Sequence, residues 1–280
     1  MKADIHHDPD QKRSSPVHQD IWQKLKQHTD ARIALGRAGC SVPTKPLLSF
    51  QYDHAQAKDA VLHELNVHDL QQAFSAMHLD MIVVHSQATD KAIYLKRPDL
   101  GRILDDEYAL NLSQLGEGKS YDVAIVIGDG LSARAIEENA VKLVAELQRL
   151  FQAEQWSLAP IVVAKGSRVA LGDQVAERLH AKMLVMLIGE RPGLSSPDSL
   201  GIYYTWQAKS GCHDAMRNCI SNVRPAGLPI PIAAQRLMTL MKKSQQLGLS
   251  GVHLKDEHEV ETIASDGAQQ SLFLLPERDA

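Results

Sequence analysis

The chain has 280 residues, 44% hydrophobic and 23% charged, with a formal net charge of -4. That length can bury a substantial core in one large domain or two small ones, and the mild acidity, without a basic stripe or interleaved aromatics, argues against a nucleic-acid surface. No apolar run reaches membrane-spanning length, and the odd set Cys40, Cys212 and Cys219 fits a reduced setting without a disulfide framework.

Residues 1–16 are polar and proline-containing and read as a flexible leader. His6, His7, Asp8 and Asp10 lie there without the fixed geometry that a metal site needs. From Ile21 to Leu35 the apolar spacing predicts a helix, broken at Gly36-Arg37-Ala38-Gly39. Pro43 and Pro46 mark an extended connector, followed by helices over 55–65 and 70–76 and a short strand over 81–85. Residues 17–115 are thus expected to form an N-terminal, mainly helical part. Residues 116–250 alternate strands (123–127, 160–164, 183–188, 201–206) with helices (133–151, 172–179, 231–247). Such alternation predicts an α/β fold, a parallel sheet flanked by helices and built through right-handed crossovers. Residues 251–280 form a polar tail to which the pattern assigns no fixed structure.

Met183 to Ile188 is an apolar run without polar alternation, the signature of a strand buried on both faces. It runs into Gly189-Glu190-Arg191-Pro192-Gly193, at the strand's carboxyl end, where open α/β sheets bind ligands. Gly128-Asp129-Gly130-Leu131-Ser132 occupies another strand–helix junction. It lacks the third glycine of the dinucleotide fingerprint and the lysine of a P-loop, so Asp129 is either a ligand acceptor or, like Ser132, a candidate helix cap. Arg37, Arg97 and Arg102 lie in basic turns and are candidates for partner contact or for plain solvation. Asn218-Cys219-Ile220-Ser221-Asn222 reads as a loop stiffened by Pro225, Gly227, Pro229 and Pro231. Cys219 has no His or second Cys at metal-ligand spacing and reads as a packing or contact residue. Neither Gly-x-Ser-x-Gly nor His-Glu-x-x-His occurs, and Asp256-Glu257-His258-Glu259 reads as a solvated charge run in the tail. No self-contained catalytic set is evident, so a cofactor or another subunit must carry the chemistry.

Several segments in order resemble the small (light) subunit of ethanolamine ammonia-lyase. They are Ala31–Gly39, Leu48–Ala55 with Lys58–Val61, Tyr94–Arg102, Val126–Ser132, Gly189–Leu194, and Asn218–Asn222 with Gly227. The resemblance implies a Rossmann-like domain after an N-terminal helical part, and an adenosylcobalamin-dependent enzyme converting ethanolamine to acetaldehyde and ammonia by radical chemistry. It implies a large-subunit partner that holds the substrate, in a hetero-oligomer of several large–small pairs, with the cobalamin at the subunit interface. The family's cobalamin contacts carry over to Val169, Glu190 and Cys219: Glu190 as an acceptor for a cofactor amide or hydroxyl, Val169 and Cys219 as compact contacts. No catalytic or metal-ligating residue is expected on this chain. The Asp-x-His-x-x-Gly sequence of base-off cobalamin proteins is absent, in keeping with the family. The expected location is the cytoplasm, with enclosure in a bacterial microcompartment as the narrower option. The competing readings are a partner subunit without cofactor contact and a stand-alone nucleotide-binding Rossmann protein.

Overall fold

The computed structural model describes residues 15–255. The leader histidines and the charge run at 256–259 lie outside the described residues. In chain order come β1 (Val17–His18), a 3-10 stretch (Ile21–His28), β2 (Arg37–Ala38), α1 (Thr44–Leu62), α2 (Val67–Ala76), β3 (Met81–His85), α3 (Lys91–Lys96) and α4 (Asp106–Gly116). Then follow β4 (Tyr121–Gly128), α5 (Ala133–Ala153), β5 (Ile161–Lys165), α6 (Leu171–Arg178), β6 (Ala181–Gly189), β7 (Leu200–Trp206), β8 (Arg217–Val223) and α7 (Ile230–Leu247).

A six-stranded sheet in the order β3-β5-β4-β6-β7-β8 forms the centre, while β1 and β2 pair separately. The strands joined through helices, β3 to β6, are parallel. The wholly parallel sheet expected from the alternation is corrected at one end, where β7 pairs antiparallel with both β6 and β8. Connection length is the cause. Only residues 190–199 join β6 to β7 and only 207–216 join β7 to β8, without the helical crossover of a dozen or more residues that a parallel return requires. A second correction follows, because the Asn218–Asn222 segment read as a loop is most of the edge strand β8.

Two apolar layers sandwich the sheet. Residues of α2, α5 and α7 pack with Ile125, Ile127, Val185, Leu187 and Ile202 on one face. Residues of α4 and α6 pack with Ala124, Val126, Leu184, Met186 and Ile188 on the other. Helix α5 illustrates the encoding: Ile136, Ala140, Leu143, Leu147 and Phe151 recur at helical spacing and are almost fully buried. Ser132 caps it by accepting the Ala135 N–H at 3.2 Å. Helix α7 starts after Pro229, with Pro231 in its first turn, and stops at Gly248 in the left-handed conformation.

The N-terminal stretch departs most from expectation. The helix expected over 21–35 shrinks to the 3-10 stretch Ile21–His28, none of it buried. Ile21 and Trp22 are 86% and 61% exposed, and a helix without packing is marginal. Helix α1 instead begins at Thr44, with Pro46 inside its first turn, where a missing N–H is harmless. Strand β3 reaches the sheet edge from within residues 17–115. At the other end, Asn218 donates to the carbonyls of Gly251 and Leu254 at 3.2 and 2.8 Å and accepts the Gly251 N–H at 2.7 Å. The start of the segment assigned no structure is therefore fastened to β8.

Candidate functional site

The parallel strands end together along one edge of the sheet, the ligand side of open α/β folds. Helix α5 leaves β4 on one face and α6 leaves β5 on the other, which makes the notch between these adjacent strands the topological switch point. The protein fills that notch itself. The Asp129 carboxylate accepts the backbone N–H groups of Gly130 at 2.9 Å and of Gly166 and Ser167 at 3.0 Å each. Lys91 Nζ donates to the Gly130 carbonyl at 2.9 Å, and Tyr94 Oη donates to the Ser167 carbonyl at 3.2 Å. A side chain at Gly128 would start 2.2 Å from Ser167 Oγ, so the strands close tightly here. Asp129 thus joins the ends of β4 and β5, and the cap of α5 is Ser132.

The polar features shift to the other side of β6. Glu190 follows β6 directly, and its backbone N–H donates to the Ser199 carbonyl at 3.0 Å. Its carboxylate accepts three hydrogen bonds: from Ser199 Oγ, from Ser221 Oγ at 2.5 Å, and from the Asn222 N–H at 3.1 Å. The last two come from a bulge. Leu200 faces Val223 while Ile202 faces Ile220, so β8 sets Ser221 and Asn222 against Gly201 alone. Bulges of this kind re-aim side chains next to functional sites. Asn222 takes φ 61°, which asparagine tolerates better than most residues. Gly201 is required for space, since a Cβ there would lie 2.9 Å from Glu190 Oε1. Arg224 steadies the surrounding loops by donating to Asn222 Oδ1 at 2.8 Å and to the Ser195 carbonyl at 3.2 Å.

Cys219 lies two residues before the bulge, directly across from Tyr203. Its side chain takes the α6 face: Arg217, two residues earlier on the same side of the strand, donates to Asp173 of α6 at 2.6 Å, and both partners are 2% exposed. This ion pair seals β8 against α6 at one end. Cys219 and Ser221 beyond it are exposed, so the face stays open there. Partial burial pushes the Cys219 thiol above the ordinary cysteine range; its hydrogen bond with Tyr203 opposes this and the Glu190 charge adds to it. The thiol is therefore protonated near neutral pH and poorly suited to act as a nucleophile. Val169 sits in the turn before α6, half-buried, against the same apolar layer as Tyr203 and Met186. Val169 from the β5–α6 turn, Glu190 from the β6–β7 link and Cys219 on β8 itself thus lie toward one face of the sheet.

Sequence reasoning missed Ser199, Ser221 and Arg224 as a clamp, and the Asp173–Arg217 pair. Ser221 was visible only as part of a small polar stretch, and Ser199 carried no signal because its role depends on where β7 turns back. Arg97 pairs with Asp99 at 2.6 Å and Arg102 approaches Asp214 at 3.6 Å, ordinary surface pairs. Among the described residues no group of His, Cys, Asp or Glu side chains is arranged to hold a metal ion.

The chain is thus a mixed-sheet α/β protein with a carboxylate-centred, partly open face at the end of its sheet. The model of the ethanolamine ammonia-lyase light chain family matches residues 19–255. An ethanolamine ammonia-lyase small subunit of Pseudomonas paraeruginosa (strain PA7) is 46% identical over 271 residues, spanning 96% of this chain and 97% of the relative. One from Azotobacter vinelandii (strain DJ) is 49% identical over 265 residues, spanning 94% and 98%. The chain belongs to the ethanolamine ammonia-lyase small-subunit family.

Proposed function

We propose that this chain contacts adenosylcobalamin as the small subunit of ethanolamine ammonia-lyase, and that it works only together with a large subunit in converting ethanolamine to acetaldehyde and ammonia. The observation that carries this reading is the clamped Glu190 carboxylate beside an open sheet face. The donor set fits a corrinoid. Its rim of amide side chains calls for a fixed acceptor, small residues that allow close approach and an apolar flank. Glu190 serves as the acceptor, Cys219 as a neutral compact contact, and Val169 as the apolar edge that excludes water. When bound, the cofactor supplies radical hydrogen abstraction, which needs a dry and enclosed site. This chain's residues orient the corrinoid and shut out solvent on one side; substrate handling belongs to the large subunit.

The exposed apolar side chains Ile21, Trp22, Leu48 and Tyr52 support a partner-covered surface on the N-terminal part. The parallel strands with α5 and α6 on opposite faces support the Rossmann-like reading of residues 116–250. A stand-alone nucleotide-binding protein is disfavoured, because Asp129 and its three N–H donors fill the switch point. No helix of the described residues is long and apolar enough to cross a membrane, and we place the complex in the cytoplasm.

The test is an omission experiment with this chain, a purified large subunit and adenosylcobalamin. Acetaldehyde formation is expected only with all three present. Activity of this chain without the large subunit, or full activity of the large subunit and cofactor without this chain, would refute the reading.

A further inference from the structure

We infer that Ser199 and Ser221 hold Glu190 as a single-site acceptor that selects an amide over a carboxylic acid on the corrinoid rim. This rests on the cobalamin reading above and assigns the recognition chemistry of that site.

An ionised carboxylate has about four acceptor positions and no donor. At Glu190 three are taken by Ser199 Oγ, Ser221 Oγ and the Asn222 N–H. All three partners donate, so what remains is one acceptor position with a fixed direction. The mount is rigid as well. The Glu190 N–H is bonded to the Ser199 carbonyl at 3.0 Å, and the space behind Oε1 exists only because residue 201 is glycine. The segment carrying Ser199 is anchored separately, with Ser132 Oγ donating to the Pro197 carbonyl at 2.7 Å and Asn139 Nδ2 to the Asp198 carbonyl at 3.0 Å.

Such a group rewards an N–H donor and penalises an acceptor. A primary amide presents two N–H groups to the open position. The acid formed by hydrolysing that amide presents none and adds a like charge beside a fixed one, which is discrimination by repulsion. The serine hydroxyls are positioning residues in this scheme. Without them the carboxylate can rotate away from the acid or meet it through water, and the selection weakens.

The test is an equilibrium titration of the assembled two-subunit complex with cyanocobalamin and, separately, with its b-, d- and e-monocarboxylic acids, read by absorbance of free and bound corrinoid. With the wild-type complex at least one acid isomer is expected to bind about tenfold or more weakly than cyanocobalamin, the scale of a lost hydrogen bond to a charged group. Glu190→Gln is expected to bring that isomer to within about threefold of the parent, since an amide can donate to the acid. The Ser199→Ala/Ser221→Ala double variant is expected to bind cyanocobalamin about fivefold to tenfold more weakly and to narrow the acid penalty, while still folding and assembling with the large subunit. Ser221→Thr, which keeps the hydroxyl, is expected to retain wild-type discrimination. Equal binding of all three acids and the parent by the wild-type complex would overturn the inference, as would wild-type affinity and discrimination in the double alanine variant. A wild-type complex that does not bind cyanocobalamin, or a Glu190→Ala complex that binds it as tightly as wild type, would instead overturn the cobalamin reading, and this inference with it.

Discussion

Cys219 and Glu190 are side chains whose behaviour is set by immediate neighbours. The Cys219 thiol is exposed enough to be reached by a reagent, yet partial burial and the Glu190 charge raise its pKa while Tyr203 opposes the rise. A raised pKa means less thiolate at any given pH, so iodoacetamide should label Cys219 more slowly in the native chain than in the urea-unfolded chain at pH 8. Its labelling rate should keep rising at pH values where an ordinary cysteine has levelled off. Peptide mapping by mass spectrometry follows Cys219 alone, and equal or faster labelling in the native chain would refute the assignment. In the two-subunit complex, added cobalamin should slow labelling at Cys219 further. The buried Arg217–Asp173 pair makes a second residue-scale case. Asp173→Ala leaves the guanidinium buried without its main partner, and a loss of about 3–5 kcal/mol in a urea melt is expected. The ion pair was not legible beforehand, because Asp173 and Arg217 are brought together by strand β8, which the sequence disguises as a loop.

Strands β4 and β6 declared themselves through unbroken apolar runs, since a strand covered on both faces has no polar side to show. Strand β8 did not, because it is an edge strand with one covered face, and only Arg217, Ile220 and Val223 are buried along it. Direction was less plain: apolar runs do not record it, the short link at 190–199 carries it for β7, and the link at 207–216 does so for β8 only once that strand is known to exist. Glu190 and Cys219 of the proposed site lie toward this edge; they and Val169 could be named from the family resemblance, while the serines that hold Glu190 could not, because their role depends on the bulge in β8. Gly189 tests how tightly this region is built. A Cβ there would fall 2.0 Å from the Ser132 carbonyl oxygen, a backbone atom at the start of α5. Gly189→Ala should therefore cost about 1–3 kcal/mol by overpacking, measured by thermal melting, and should weaken cobalamin binding through the displaced Glu190. A variant with wild-type melting and binding would show that α5 and β6 have slack that this geometry does not predict.

At the scale of the whole molecule, the chain presents a clamped acceptor and an open sheet face but keeps its own switch point filled with Asp129. A self-sufficient nucleotide enzyme would leave that notch free. The family could be read from short motifs spread along the sequence, and the matches over residues 19–255 agree with it. The exposed surface at Ile21, Trp22 and Leu48, proposed above to meet a partner, could not be read from them, because a partner's surface leaves no periodicity in this chain's sequence beyond exposed apolar residues. The proposed function has this chain supply Glu190 to a cobalamin held between two subunits. Its most direct test is an equilibrium titration of the assembled complex with adenosylcobalamin, wild type against Glu190→Ala. Binding is expected to weaken by about tenfold or more, the worth of a hydrogen bond to a charged group, with the two-subunit complex still assembled. Equal affinity in an intact Glu190→Ala complex would contradict it.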